Sequence, residues 1–221
     1  MKGIFIGLAA SMGLIGSAQA FTFSADTATA SSVFSSSYAA ANTINGSGMP
    51  DPFGIADAHA IYVPGNHWTT RANQTIGEHI TWGFDDPVTL GSLYIWNHLS
   101  TAGGGGVAAN PHYAPTIFDL EIFDPTDALI GSLTGGTLQH DVSTAQAIDL
   151  GAIYNNVGSV KFTIKETRAE VVGYTFTRYS GLAEVLFSSE SVTVVPLPAA
   201  GWLFLTGLFA LAAVGRRSAT T

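Results

Sequence analysis

The chain has 221 residues, a formal net charge of −8 from 16 acidic and 8 basic residues, and no cysteine. Nucleic acid is excluded as a partner, because phosphate binding needs a basic stripe and Lys161, Lys165, Arg168 and Arg178 stand singly. Disulfides are excluded as well, so the fold must stand on packing, with or without help from a metal.

The first segment, 1–20, has Lys2, then an uncharged apolar run from Ile4 to Ile15, then Ala18-Gln19-Ala20. A basic start, a short apolar core and an A-x-A site predict a secretory signal peptide, with a mature chain beginning at Phe21. The run is shorter than the roughly 20 residues of a membrane span. Residues 21–191 follow as one domain of ordinary size.

That domain reads as all-β. Ile80-Thr81-Trp82-Gly83-Phe84 alternates with the period of a half-buried strand. Leu93-Tyr94-Ile95-Trp96 is continuously apolar and suits burial on both faces. Ile117 to Phe123 places Phe118, Leu120 and Ile122 on one face, Val160 to Lys165 alternates cleanly, and Leu182 to Phe187 is the last strand. Asp85-Asp86-Pro87, Asp124-Pro125, Gly135-Gly136 and Asn155-Asn156 are read as turns. Short strands with turn signals and no long amphipathic helix predict a sandwich or jelly roll. Gly103 to Gly106 reads as a loop tip, since no Lys-Ser/Thr follows to make a phosphate cradle.

The chain closes on Val195-Pro196-Leu197-Pro198, an apolar run from Ala199 to Val214, and Arg216-Arg217. As a helix that run rises about 24 Å against a hydrocarbon core of about 30 Å, and residues 194–198 with Gly215 roughly close the gap. The expectation is a C-terminal transmembrane helix, with Pro198 in its first turn and Trp202 and the two arginines at its ends.

The tail resembles the PEP-CTERM sorting domain of Gram-negative bacteria, with Leu197 where that family usually has Glu. The resemblance covers 195–217. It implies an exosortase and the secretion machinery as partners and an inner-membrane-anchored precursor. It also implies a final place at the cell surface or in the extracellular matrix.

A second resemblance spans most of 21–191. Thr29-Ala30-Ser31-Ser32, Asn42-Thr43-Ile44-Asn45-Gly46, Trp68, Ile80 to Phe84, Tyr94-Ile95-Trp96-Asn97 and Gly181-Leu182-Ala183-Glu184 occur in that order. Together they resemble the discoidin-like (galactose-binding-like) β-sandwich. The fold expected is therefore an all-β, discoidin-like jelly-roll sandwich, flanked by a signal peptide and a transmembrane helix.

That resemblance implies a structural calcium tying the early turn to the closing strand. The ligand candidates are Asn45, carbonyls around Ile44 to Gly48, and Glu184, with Asn45 where the family often has Asp. Glu184 stands in an apolar strand and needs a partner if buried; Arg178, Lys161 and solvent are the alternatives to calcium. The resemblance also implies glycan contacts on loops at one end, and His67, Arg71, His112, Tyr113 and Tyr179 are the ligand-binding candidates. Trp68 is read as a core residue before a contact residue.

No catalytic constellation is legible. The six histidines form no His-Glu-x-x-His, no Gly-x-Ser-x-Gly occurs, and Asp85-Asp86 belongs to a turn. The function expected is a non-enzymatic module binding extracellular or exopolysaccharide glycans. The alternative is a structural or adhesive biofilm-matrix protein without a small-ligand site.

Overall fold

A computed structural model describes residues 21–99, 113–171 and 178–192. Eight strands lie in chain order: β1 Thr22–Phe23, β2 Thr27–Ala30, β3 Trp68–Thr69, β4 His79–Asn97, β5 Pro115–Phe123, β6 Leu129–Thr137, β7 Gln146–Thr167 and β8 Gly181–Ser188. A short helix, α1, covers Arg168–Val171. Hydrogen bonding runs in the order β1-β8-β4-β7-β5-β6, with β2 also on β4 and β3 also on β8. Every pairing is antiparallel.

The long strands β4 and β7 make this one path into two layers. His79–Gly83 of β4 pairs with Ser159–Thr163 of β7, whereas Ser92–Ile95 pairs with Gln146–Asp149. Register shifts between Gly83 and Ser92 mark where the paired ribbon crosses from one layer to the other. Asp85-Asp86-Pro87 and Asn155-Asn156 are these corners, not turns between separate strands; Asn156 takes a left-handed φ of 59° and Asn155 accepts a hydrogen bond from Thr89 at 3.1 Å. Gly135-Gly136 is likewise part of β6, because the Phe118 ring fills the space where a Gly136 Cβ would lie. Asp124-Pro125 is a turn as expected, with Asp124 Oδ1 accepting the Thr126 and Ala128 N–H groups.

The core lies between the layers. Trp82, Phe162 and Phe187 are fully buried and meet edge to face, Trp82 at 6.1 Å from Phe162 and 5.7 Å from Phe187. The alternation in 80–84, 117–123 and 160–165 puts Ile80, Trp82, Phe118, Leu120, Ile122, Val160, Phe162 and Ile164 inward. The unbroken run in β4 has a different cause. Leu93 and Ile95 face the core, while Tyr94 and Trp96 face outward beneath Met49, Phe53 and Ile55. Residues 46–60 thus cover the outer face of β4 and β8, and Trp96 Nε1 donates to Asp57 O at 2.9 Å.

Among the described residues no helix is long and apolar enough to cross a membrane. The fold class is therefore corrected to an all-β sandwich with no membrane-crossing helix among the described residues, and the expected transmembrane helix and inner-membrane-anchored precursor are withdrawn. The apolar run 199–214 is by itself too short, about 24 Å of helix against a core of about 30 Å. The signal-peptide segment 1–20 and the sorting motif 195–217 lie outside the described residues.

Candidate functional site

One end of the sandwich is assembled by a short, close strand pairing. β3 pairs with β8 through Trp68 with Leu182 and Thr69 with Gly181. A Cβ on Gly181 would lie 1.8 Å from Trp68 O, so the two backbones approach only because residue 181 is glycine. The Thr70 N–H donates to Ser180 O at 2.7 Å and the Phe34 N–H to Thr69 O at 2.8 Å. Ser180 returns its N–H to Thr70 Oγ1 at 3.0 Å and its hydroxyl to Tyr113 O at 3.0 Å. Loops 31–38, 60–71, 113–114 and 178–180 are thereby fixed side by side.

Their aromatic rings form a platform. Phe34 is 47% exposed and meets Tyr179 edge-on at 5.2 Å and Tyr38 at 5.3 Å. Tyr113 meets Tyr179 at 5.2 Å. Tyr113 and Tyr179 are half-buried, and Arg71, next in the chain to the Thr70 that bonds Ser180, is exposed. The Arg71 backbone is held by Ser32 Oγ at 3.1 Å.

A second tier lies beneath. Tyr38 stacks on Tyr62 at 5.5 Å, Tyr62 covers His67 at 4.0 Å, and His67 meets His98 at 4.7 Å. Both histidines are 2% exposed. Burial, reinforced by the neighbouring imidazoles, lowers His67 to about 2; burial, with His59 adding to it, lowers His98 to about 3. Both rings are neutral at physiological pH.

The structure brings Arg71, Tyr113 and Tyr179 together at this end. It sets His67 one ring below the surface, and His112 lies outside the described residues. Trp68 is fully buried, with its Nε1 donating to Ser32 O at 2.9 Å, and belongs to the core. The sequence reading missed Phe34, Tyr38, Tyr62 and His98. Phe34 carried a signal, as a lone aromatic amid Ser31, Ser32 and Ser35 to Ser37.

The calcium candidates also meet. Glu184 is fully buried in β8, and its Oε2 accepts the Gly46 N–H at 3.0 Å. Its Oε1 is buried without a hydrogen-bond partner among the described residues, and burial pushes the carboxyl up to about 8. Arg178 and Lys161 are not its partners; Lys161 pairs with Glu121 at 2.9 Å. Asn45 is exposed, and its Oδ1 accepts the Ser47 N–H at 2.9 Å. The carbonyls of Gly46, Ser47 and Gly48 already meet the Met49 N–H, His59 Nε2 and the Ala60 N–H. Glu184 Oε1 is thus a free oxygen ligand at this turn, and the carbonyls of 46–48 serve calcium only through their second lone pairs. Among the described residues no three His, Cys, Asp or Glu gather around one point.

At the opposite end, beside the β4 corner, a cleft of about 560 Å³ is lined by Phe23, Phe84, Asp26, Asp85 and Asp86, with exposed Phe21 at its edge.

No family model matches the sequence, residues 195–217 included, and no curated protein matches it. Solved structures do. The chain is similar to a Streptococcus pneumoniae fucose binding module, with a TM-score of 0.51 and 14% identity over 77% of this chain and 96% of that one. It is also similar to the CBM32 of AlyQ in complex with 4,5-unsaturated mannuronic acid, with a TM-score of 0.50 and 12% identity over 77% and 99% of the two chains. Likeness at this identity is likeness of fold: the domain is a discoidin-like β-sandwich of the kind these modules share.

Proposed function

We propose that the loop end bearing Phe34, Tyr113, Tyr179 and Arg71 binds extracellular or exopolysaccharide glycans, without catalysis. The observation that carries this reading is the platform itself. Three aromatic rings stay open to solvent on loops locked by hydrogen bonds, and the exposed Arg71 on the same loop end makes no ion pair among the described residues. Ring faces take the apolar side of a pyranose, and a guanidinium donates to hydroxyls or carboxylates in a fixed fork. Fixed loops on a rigid scaffold lower the ordering entropy lost on binding. The fucose and mannuronate modules of the same fold support the ligand class. A glycan array with the full chain tests the proposal. Binding abolished in Tyr179→Ala and Phe34→Ala supports it, and a folded chain that binds no glycan returns the protein to the matrix-structural reading.

A bound calcium and proteolytic processing belong to the same proposal. A calcium at Glu184, completed by carbonyls of 44–48, accounts for the buried, unpartnered Oε1. Export through 1–20 and exosortase processing at Val195-Pro196-Leu197-Pro198 and Arg216-Arg217 rest on sequence pattern alone. Protein recovered from the medium should begin at Phe21 and lack 195–217. Recovery with both segments intact contradicts the processing.

A further inference from the structure

Beneath the aromatic platform, two imidazoles meet edge to face, and three of their ring nitrogens have no hydrogen-bond partner among the described residues. The tautomer of His67 is fixed by its neighbours. Asn66 Nδ2 donates to Ile61 O at 3.1 Å and Asn66 Oδ1 accepts the Val63 N–H at 3.0 Å, which sets the amide orientation. That oxygen stands 2.7 Å from His67 Nδ1, so Nδ1 carries the proton and donates. The lone pair is therefore on Nε2, which is buried and has no hydrogen-bond partner. His98 is more isolated, since both Nδ1 and Nε2 are buried without a partner. Because neutral imidazole carries one proton, one of these two atoms is also a bare lone pair.

Three orphaned nitrogens on two adjoining rings are a departure from the rule that buried polar atoms are satisfied. Neither ring can satisfy the other's lone pair in the present geometry, since no hydrogen bond joins them. A single cation satisfies one lone pair on each ring. The two centroids are 4.7 Å apart and the rings stand at 90°. Imidazoles sharing an ion at about 2.0–2.1 Å from each nitrogen bring their centroids to roughly 5 Å. The Asn66 amide already plays the part of an outer partner, because a ligating histidine donates its other N–H to an oxygen that fixes the ring.

We propose that His67, through Nε2, and His98 bind one divalent transition-metal ion of the zinc, copper or nickel class. The ligand chemistry selects against calcium and magnesium, which take oxygen, and for ions that take neutral imidazole. No third His, Cys, Asp or Glu among the described residues joins the pair, so the ion keeps open positions for water or phenol oxygen. Tyr62, half-buried, lies against both rings at 4.0 and 5.3 Å. A metal here cross-links loop 60–71 to the end of β4, directly under the platform. This site is separate from Glu184 and does not depend on glycan binding.

The test is titration of the metal-free full chain with cobalt and then zinc, read by cobalt visible absorption and by long-range proton–nitrogen correlation of the imidazoles. The expected result is saturation at one ion per chain, with the His67 Nε2 and His98 ring-nitrogen resonances shifting and a higher Tm. His67→Gln and His98→Gln should each weaken binding by about tenfold or more. His140→Gln, at a half-exposed histidine paired with Asp141, should leave it unchanged. If a variant does not fold, the wild-type resonances still decide the matter. No saturable binding up to millimolar metal, or saturation with both sets of resonances unmoved, overturns the proposal.

Discussion

Glu184 Oε2 accepts the Gly46 N–H at 3.0 Å, joining residues 138 positions apart. The bond pins the early turn to the closing strand and leaves Oε1 buried and alone. A carboxyl in that position is more comfortable with a proton than with a charge, which is why burial raises it to about 8.

The consequence is a stability slope. The folded state holds this proton up to about pH 8, whereas an unfolded chain releases it near an ordinary pKa of about 4.3. Between those values the native state binds more protons, so stability falls as pH rises, by a few kcal/mol at most over roughly this whole window. Glu184→Gln keeps the acceptor for Gly46 and removes the titration. Its Tm should therefore fall less than that of wild type between pH 6.5 and 8.

Calcium acts on the same atom. If it binds Glu184, calcium should raise Tm at pH 8, the chelator EDTA should reverse the gain, and Glu184→Gln should show neither effect. A wild-type Tm indifferent to calcium and chelator at pH 8 removes calcium from the account and leaves Glu184 as a buried acid.

The two buried histidines slope the other way. Their folded values, about 2 and about 3, lie below the unfolded one. Their contribution is fully present above about pH 6.5 and is lost as pH falls below it, because the unfolded state then binds more protons. Two histidines outweigh one carboxyl, so thermal stability should peak near pH 6.5. His98→Leu removes one titrating group together with its two unsatisfied nitrogens. It should flatten the acid limb in a Tm-against-pH series.

Gly181 is where fold and site meet. Gly181→Ala forces a Cβ to within 1.8 Å of Trp68 O, and backbone cannot yield there as a side chain would. The β3–β8 pairing should open at a loss of about 3 kcal/mol or more. Denaturant melts should show this, together with weaker glycan binding, because Thr70 and Ser180 lose their mutual hydrogen bonds.

Strands that bury one face were plain in the sequence, since Val160, Phe162 and Ile164 announce a period of two. Burial of 93–96 on both faces was legible from its unbroken apolar run. The cover for its outer face was not, because Met49, Phe53 and Ile55 come from a segment without periodicity. The corners at Asp85-Asp86-Pro87 and Asn155-Asn156 carry turn composition, yet the chain stays in the sheet because both partners bend together. Of the site, Arg71, Tyr113 and Tyr179 came from family resemblance. Phe34, Tyr62 and His98 were hidden because their meeting is wholly long-range, and no spacing in the sequence encodes it. The expected transmembrane helix rested on flanking residues to make up its length, and the described fold gives it no support.

The most direct test of the central claim is the affinity of the full chain for its best array glycan, compared with that of a Phe34→Ala, Tyr179→Ala double variant of unchanged circular dichroism. Wild type should bind saturably and the variant should lose about tenfold or more in affinity, because two stacking faces are removed from a fixed platform. Equal affinity in the two proteins, or no binding by a folded wild type, would contradict it.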